Sequence, residues 1–164
     1  MIMKKIALFV DVQNIYYTTR EVYGRQFNYR ELWRKLSSEG EIVTAFAYAT
    51  QRSNDKAAED QQIKFQDALK HIGFSIKLKP YIQRRDGSAK GDWDVGITID
   101  ILEAAKDVDT IILLSGDGDF DLLLQKVSSD FNVTTEVYGV AKLTANSLIN
   151  AATVYHPVEK DLLL

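Results

Sequence analysis

The stretch TIILLSGDGDFD, Thr110–Asp121, decides how this chain is read. Its first five residues form an unbroken apolar and β-branched run, the pattern of a strand buried on both faces of a parallel sheet. Ser115-Gly116-Asp117-Gly118-Asp119 then breaks the run, and a helix is predicted over Asp119–Ser129. Two glycines among short acids suit a tight strand-to-helix turn that presents carboxylates. The same theme opens the chain: Lys5–Val10 (KIALFV) reads as a buried strand and is followed directly by Asp11.

Outward from these two segments, strand and helix alternate. Helices are predicted over about 14–23 and over Tyr29–Ser38, then a strand over Ile42–Tyr48. Asp55–Ile72 reads as a long helix with Gly73 just past its end, the position that favours glycine. Phe74–Leu78 alternates as a strand, and Tyr81–Lys90 is a polar loop. Asp94–Ala105 fits both periods: Val95, Ile97, Ile99 and Ile101 alternate, while Val95, Ile99 and Leu102 fit a helix. The helix is favoured, with Asp92 as its N-cap, because a second strand so close to Thr110 would need an antiparallel hairpin. Thr134–Tyr138 is a strand and Thr144–Ala152 a short helix. The order predicts a three-layer α/β/α, Rossmann-like fold with a mainly parallel central sheet of five strands. The 164 residues suit one domain over 1–164.

Composition narrows the chemistry. The chain has no cysteine, which excludes disulfides, a cysteine nucleophile and Cys-ligated metal sites, and only two histidines, His71 and His156. His71 is expected to serve a helix C-terminus; His156 receives no role. No apolar run reaches the ~18 residues of a membrane span, and the N-terminus lacks the pattern of a signal peptide. A cytoplasmic location without membrane contact is expected. The net charge of −3 conceals a split: residues 1–90 carry +6 and residues 91–164 carry −9.

In open parallel sheets, ligands bind beyond the carboxyl ends of the strands. Asp11 and the Asp117–Asp121 turn fall at such ends, and Asp92 and Asp94 stand at a predicted helix N-terminus. Two carboxylates ~5 Å apart repel by roughly 3 kcal/mol at an effective dielectric of ~20. Several such pairs call for a cation or for raised pKa values. An oxygen-only donor set favours Mg²⁺ or Mn²⁺ over zinc, and such an ion activates water toward phosphorus. Each acid also has a plain structural role open to it, as strand terminator, turn residue or cap.

Three motifs together resemble the NYN domain family, in its LabA-like branch of the PIN-like nucleases: Phe9–Asn14, Lys90–Asp100 and Leu114–Phe120. The resemblance implies a PIN-like fold and a metal-dependent ribonuclease, an endonuclease hydrolysing RNA phosphodiester bonds. It implies Asp11, Asp94, Asp117 and Asp119 as ligands of Mg²⁺ or Mn²⁺, with Asn14 as their polar partner in catalysis. Asp100, Asp121 and Ser115 are supporting candidates. Six residues separate Asp94 from Asp100, about 240° around a helix, so these two do not share a face. Val12-Gln13 departs from the family pattern, in which a small residue commonly follows the first Asp, and alters access around Asp11.

Single-stranded or structured RNA is the implied partner. Arg84, Arg85 and Lys90 are candidate phosphate contacts. Arg20, Arg25, Arg30, Arg34 and Lys35 lie among Tyr16, Tyr17, Tyr23, Phe27, Tyr29 and Trp33, a mixture that suits phosphates and unpaired bases. The plain alternative is solvated charge over core aromatics. Apolar Leu162–Leu164 is expected to dock either on the core or on a partner subunit of a homo-oligomer. The alternative function is a non-catalytic RNA- or protein-binding regulatory module that retains the fold. An aspartyl-phosphate phosphatase fits less well, because Asp11-Val12-Gln13 lacks the second acid two residues on.

Overall fold

A computed structural model describes residues 3–51, 55–80, 82–83, 89–90 and 92–164. Six parallel strands form the central sheet: β1 (Lys5–Asp11), β2 (Glu41–Gln51), β3 (Ser75–Pro80), β6 (Thr110–Leu114), β7 (Thr134–Gly139) and β8 (Val154–Pro157). Two short strands, β4 (Ile82–Gln83) and β5 (Ala89–Lys90), pair antiparallel apart from it. The sheet order is β3-β2-β1-β6-β7-β8. The chain therefore works outward on one side of β1, then returns to its other side at β6. That reversal is a topological switch point, where a crevice opens at the carboxyl ends of the strands.

The three layers follow from the period of two along β1. Ile6, Leu8 and Val10 pack into one apolar layer with Ile15, Leu32, Leu36 and Leu69. These come from α1 (Val12–Tyr23), α2 (Tyr29–Glu39) and α3 (Lys56–Ile72). Ala7 and Phe9 face the opposite layer, with Ile97, Ile101, Leu124 and Leu148. Those belong to α4 (Asp94–Ala104), α5 (Asp121–Phe131) and α6 (Asn146–Ala151). Strands β1 and β6 are central and covered on both faces, which is why each is a continuous apolar run.

Local signals set the element ends. The Asn28 side chain accepts the Glu31 amide at 3.0 Å and starts α2. Asp55 caps α3 through the Ala57 amide. Gly24 closes α1 in the left-handed region, φ 64°, where a side chain would be strained.

The structure resolves the ambiguous 94–104 segment as a helix, and it corrects five expectations, the first being the loop predicted over Tyr81–Lys90, which carries the paired strands β4 and β5. Asp92 is not the N-cap of α4: Trp93 holds that position, and Asp92 accepts the Asp94 amide at 3.2 Å from one residue earlier. The helix predicted from Asp119 begins as a 3₁₀ turn, Gly118–Phe120, and becomes α-helical at Asp121. The predicted helix over Thr144–Ala152 forms only from Asn146. A sixth strand, β8, was hidden by its four-residue length and its terminal Pro157, both tolerated because it is an edge strand. His156, on β8, binds Glu136 Oε1 through Nε2 at 2.6 Å and stacks on Tyr138 at 4.4 Å. His71 stands in the last turn of α3, and its Nδ1 lies 2.8 Å from the carbonyl oxygen of Asp67, one turn back.

Leu162 and Leu163 dock on this chain's own core. Arg25 Nε donates to the Leu164 carbonyl at 2.6 Å, tying the C-terminal segment to the loop after α1. Of the aromatics in the basic half, Phe27 and Tyr29 are buried core residues and Trp33 packs against them. Among the described residues, no helix is long and apolar enough to cross a membrane.

Candidate metal centre

Asp11 is the last residue of β1, and Ser115-Gly116-Asp117 follows β6, its neighbour in the sheet. Both segments therefore open into the switch-point crevice. Gly116 is required there: a Cβ would lie 2.5 Å from the Leu143 carbonyl oxygen and 3.2 Å from the Thr144 Cα. Only a glycine lets the β6 turn pass that close to the backbone after β7.

Hydrogen bonds knit the first and third motifs together. Ser115 Oγ donates to Asp11 Oδ2 at 3.1 Å and accepts the Asp117 amide at 3.2 Å. Asn14 Oδ1 accepts the Gly116 amide at 2.9 Å. Asp117 Oδ1 accepts the Asp119 amide at 2.9 Å, so one acid shapes the turn that presents the next.

Helix α4 brings the third acidic segment. Trp93 anchors its N-terminus: the indole Nε1 donates to the Ala49 carbonyl at 3.0 Å, and the ring lies 5.3 Å from that of Tyr48. Lys79 Nζ stands 4.5 Å above the indole and donates to the Asp92 carbonyl at 2.7 Å. Thus β2 and β3 hold Asp94 toward the crevice. Sequence reading passed over Trp93 and Tyr48; the signal available was an aromatic set between Asp92 and Asp94.

Asp94, Asp117 and Asp119 each offer a carboxylate oxygen, and the three atoms lie within 4.8 Å of one another. Asp11 lines the same cleft, about 250 Å³ in volume, with Asn14, Asp92, Asp94 and Asp117. Burial pushes the Asp11 carboxyl from 3.8 up to about 6; the Ser115 bond opposes that rise, and the charges of Asp117 and Asp92 add to it. Asp94 is also raised, by burial first and then by the adjacent Asp117 carboxylate. Both shifts come from burial first and from crowding among the acids second, and a cation among these carboxylates would oppose them. Carboxylate oxygens without His or Cys fit a hard divalent ion of the Mg²⁺ or Mn²⁺ type.

The supporting candidates divide. Ser115 belongs to the site through Asp11. Asp100 faces elsewhere and accepts both Tyr48 Oη at 2.7 Å and Lys77 Nζ at 2.6 Å, so it holds the cleft wall from behind. Asp121 opens α5 and accepts the Leu122 amide at 2.6 Å; it does not join the converging set. Arg84 and Arg85 lie outside the described residues, and Lys90 is described in its backbone only, paired with Ile82.

Comparison with known proteins agrees with this architecture. The family model for the NYN domain matches residues 5–159. The chain is 28% identical over 159 residues to the low amplitude and bright protein LabA of Synechococcus elongatus, covering 92% of this chain and 82% of that protein. A crystal structure of a Vibrio parahaemolyticus protein of unknown function superposes with a TM-score of 0.90 at 51% identity, covering 99% of this chain and 97% of that one.

Proposed function

This chain belongs to the NYN domain family, and from that premise we propose that it is a metal-dependent endoribonuclease. The convergence of Asp94, Asp117 and Asp119 carries the reading. These three, with Asp11 beside them, would hold one or two Mg²⁺ or Mn²⁺ ions. Such an ion, when bound, activates water and stabilises the charge that develops on the phosphoryl oxygens.

The chain's own residues supply the arrangement. Ser115 orients Asp11 through Oδ2 and the Asp117 backbone through its amide. Asn14 is a positioning residue, since its side-chain oxygen is committed to the Gly116 amide. Trp93 sets where Asp94 enters the cleft. Arg84, Arg85 and Lys90, which immediately precede the Asp92–Asp94 segment, are the proposed phosphate contacts.

The test is cleavage of end-labelled RNA by purified protein with Mn²⁺. Cleavage is expected, abolished by EDTA and reduced on the order of 100-fold or more by Asp117→Asn. Intact RNA, or undiminished cleavage by that variant, overturns the reading. RNA binding that ignores EDTA and produces no cleavage would instead favour a non-catalytic binding module.

A further inference from the structure

The wall of the cleft formed by α1 carries groups that the acid site does not use. Tyr17 lines the cleft yet is 45% exposed, and Tyr16 beside it is 42% exposed. Their rings meet edge to face, with centroids 5.4 Å apart and planes at 75°. Arg20, one turn on, donates from Nη1 to Tyr16 Oη at 2.6 Å, and its guanidinium carbon lies 5.8 Å from that ring. Tyr16 is therefore held, and Tyr17 has a fixed ring edge behind it. The exposed face of the Tyr17 ring is thus available for stacking at the cleft.

Gln13 lies four residues before Tyr17 and lines the same cleft. Residues i and i+4 of a helix are neighbours on one face. The Gln13 amide has no hydrogen-bond partner among the described residues, so its donors and acceptor are uncommitted in a residue that lines the cleft one turn from Tyr17. A stacking ring next to a free amide is the pair of contacts an unpaired nucleobase requires, one for its face and one for its edge. The cleft, at about 250 Å³, lies below the ~300 Å³ lower bound of drug-sized pockets. A base inside a duplex has both faces covered by its neighbours, so only an unpaired base can offer a face to the Tyr17 ring. A contact to the base adds affinity that does not depend on charge.

We infer that Tyr17 and Gln13 form a nucleobase subsite, in which an unpaired base of a single-stranded RNA stacks on the Tyr17 ring while the Gln13 amide hydrogen-bonds its edge. The inference rests on the nuclease reading for its substrate class, but it is tested by binding. Fluorescein-labelled 12-nucleotide single strands of A, C and U, and a duplex of equal length, are titrated with the protein in Mg²⁺ and EDTA-free buffer, followed by anisotropy at early times. Cleavage in Mn²⁺ is measured separately on the same strands.

Tyr17→Ala is expected to weaken single-strand binding by about tenfold or more and to leave duplex binding unchanged. Tyr17→Phe keeps the ring and should bind within about twofold of wild type. Gln13→Ala should retain binding while flattening whatever preference the wild type shows among A, C and U. The subsite is overturned if wild type fails to bind the single strands, or if Tyr17→Ala binds them as wild type does. It is also overturned if that variant, with an unchanged melting temperature, loses single strand and duplex equally. Tight, Tyr17-dependent binding without Mn²⁺-dependent cleavage would support the subsite and refute the nuclease. Cleavage with an unchanged KM in Tyr17→Ala would do the reverse.

Discussion

The Asn14 side-chain oxygen accepts the Gly116 amide at 2.9 Å, joining residues 102 positions apart in the chain. This bond stitches the first helix to the turn after β6, between the two strands that flank the switch point. Asn14→Ala would leave the Gly116 amide without that acceptor, at a cost of about 1–3 kcal/mol. A fall in melting temperature of about 2–4 °C per kcal/mol is expected for a chain of this size. Scanning calorimetry with and without Mn²⁺ checks it; an unchanged melt would remove Asn14 as the stitch.

Asp117→Asn should act in opposite directions on the metal-free and metal-loaded protein. Losing one of the converging charges relieves repulsion on Asp94 and Asp119, so the metal-free variant should melt no lower than wild type. Stabilisation by added Mn²⁺, which grows with occupancy in wild type, should be largely lost. Melting temperature as a function of Mn²⁺ concentration reads both effects. A metal-dependent rise equal to that of wild type would show that Asp117 is no ligand.

The raised Asp11 carboxyl makes a signed prediction for pH. Its folded value of about 6 exceeds the ordinary 3.8, so between these values the folded chain binds more protons than the unfolded one. Stability from this group is thus full below about pH 3.8 and lost as pH rises through about 6. Metal-free protein should show a lower urea midpoint at pH 7.5 than at pH 5, from this contribution, and Mn²⁺ should narrow the difference. Asp11→Asn should reduce the slope over the same interval and leave the part owed to Asp94, whose carboxyl is also raised. A slope that persists unchanged in Asp11→Asn assigns it to other groups.

Gly116→Ala tests the close approach at the turn. The new Cβ would meet the Leu143 carbonyl oxygen at 2.5 Å and the Thr144 Cα at 3.2 Å, and backbone on both sides yields little. Overpacking of this kind costs about 1–3 kcal/mol. Because the turn also carries Asp117 and Asp119, Mn²⁺ affinity should fall along with thermal stability. Full metal affinity in a destabilised variant would separate the turn's packing from the site's geometry.

Much of the layout can be read from residue order. TIILL and KIALFV announce the two central strands because strands covered on both faces carry no polar alternation. The 94–104 helix was legible through its neighbours: the joint to Thr110 is too short for a parallel crossover strand. Strand β8 was not legible, since an edge strand of four residues carries little apolar signal. Asp92 looked like a cap because its residue type is right; Trp93 took that position when its indole found the Ala49 carbonyl, a partner 44 residues away.

The acids themselves were visible as types at strand ends, and the absence of cysteine already pointed to hard oxygen chemistry. Their grouping was not visible. Spacing along a chain says nothing of distance across a sheet, so only the tertiary structure could bring Asp94 within 4.8 Å of Asp117 and Asp119 and turn Asp100 toward Tyr48 and Lys77. It also decided which aromatics of the basic half serve the core, Phe27 and Tyr29, and which stay exposed, Tyr16 and Tyr17, the latter in the cleft wall. The physical reason is common to all of these. Local sequence sets period and turn chemistry, whereas burial, repulsion between carboxylates and the partner of each polar atom depend on residues that meet only when the sheet assembles.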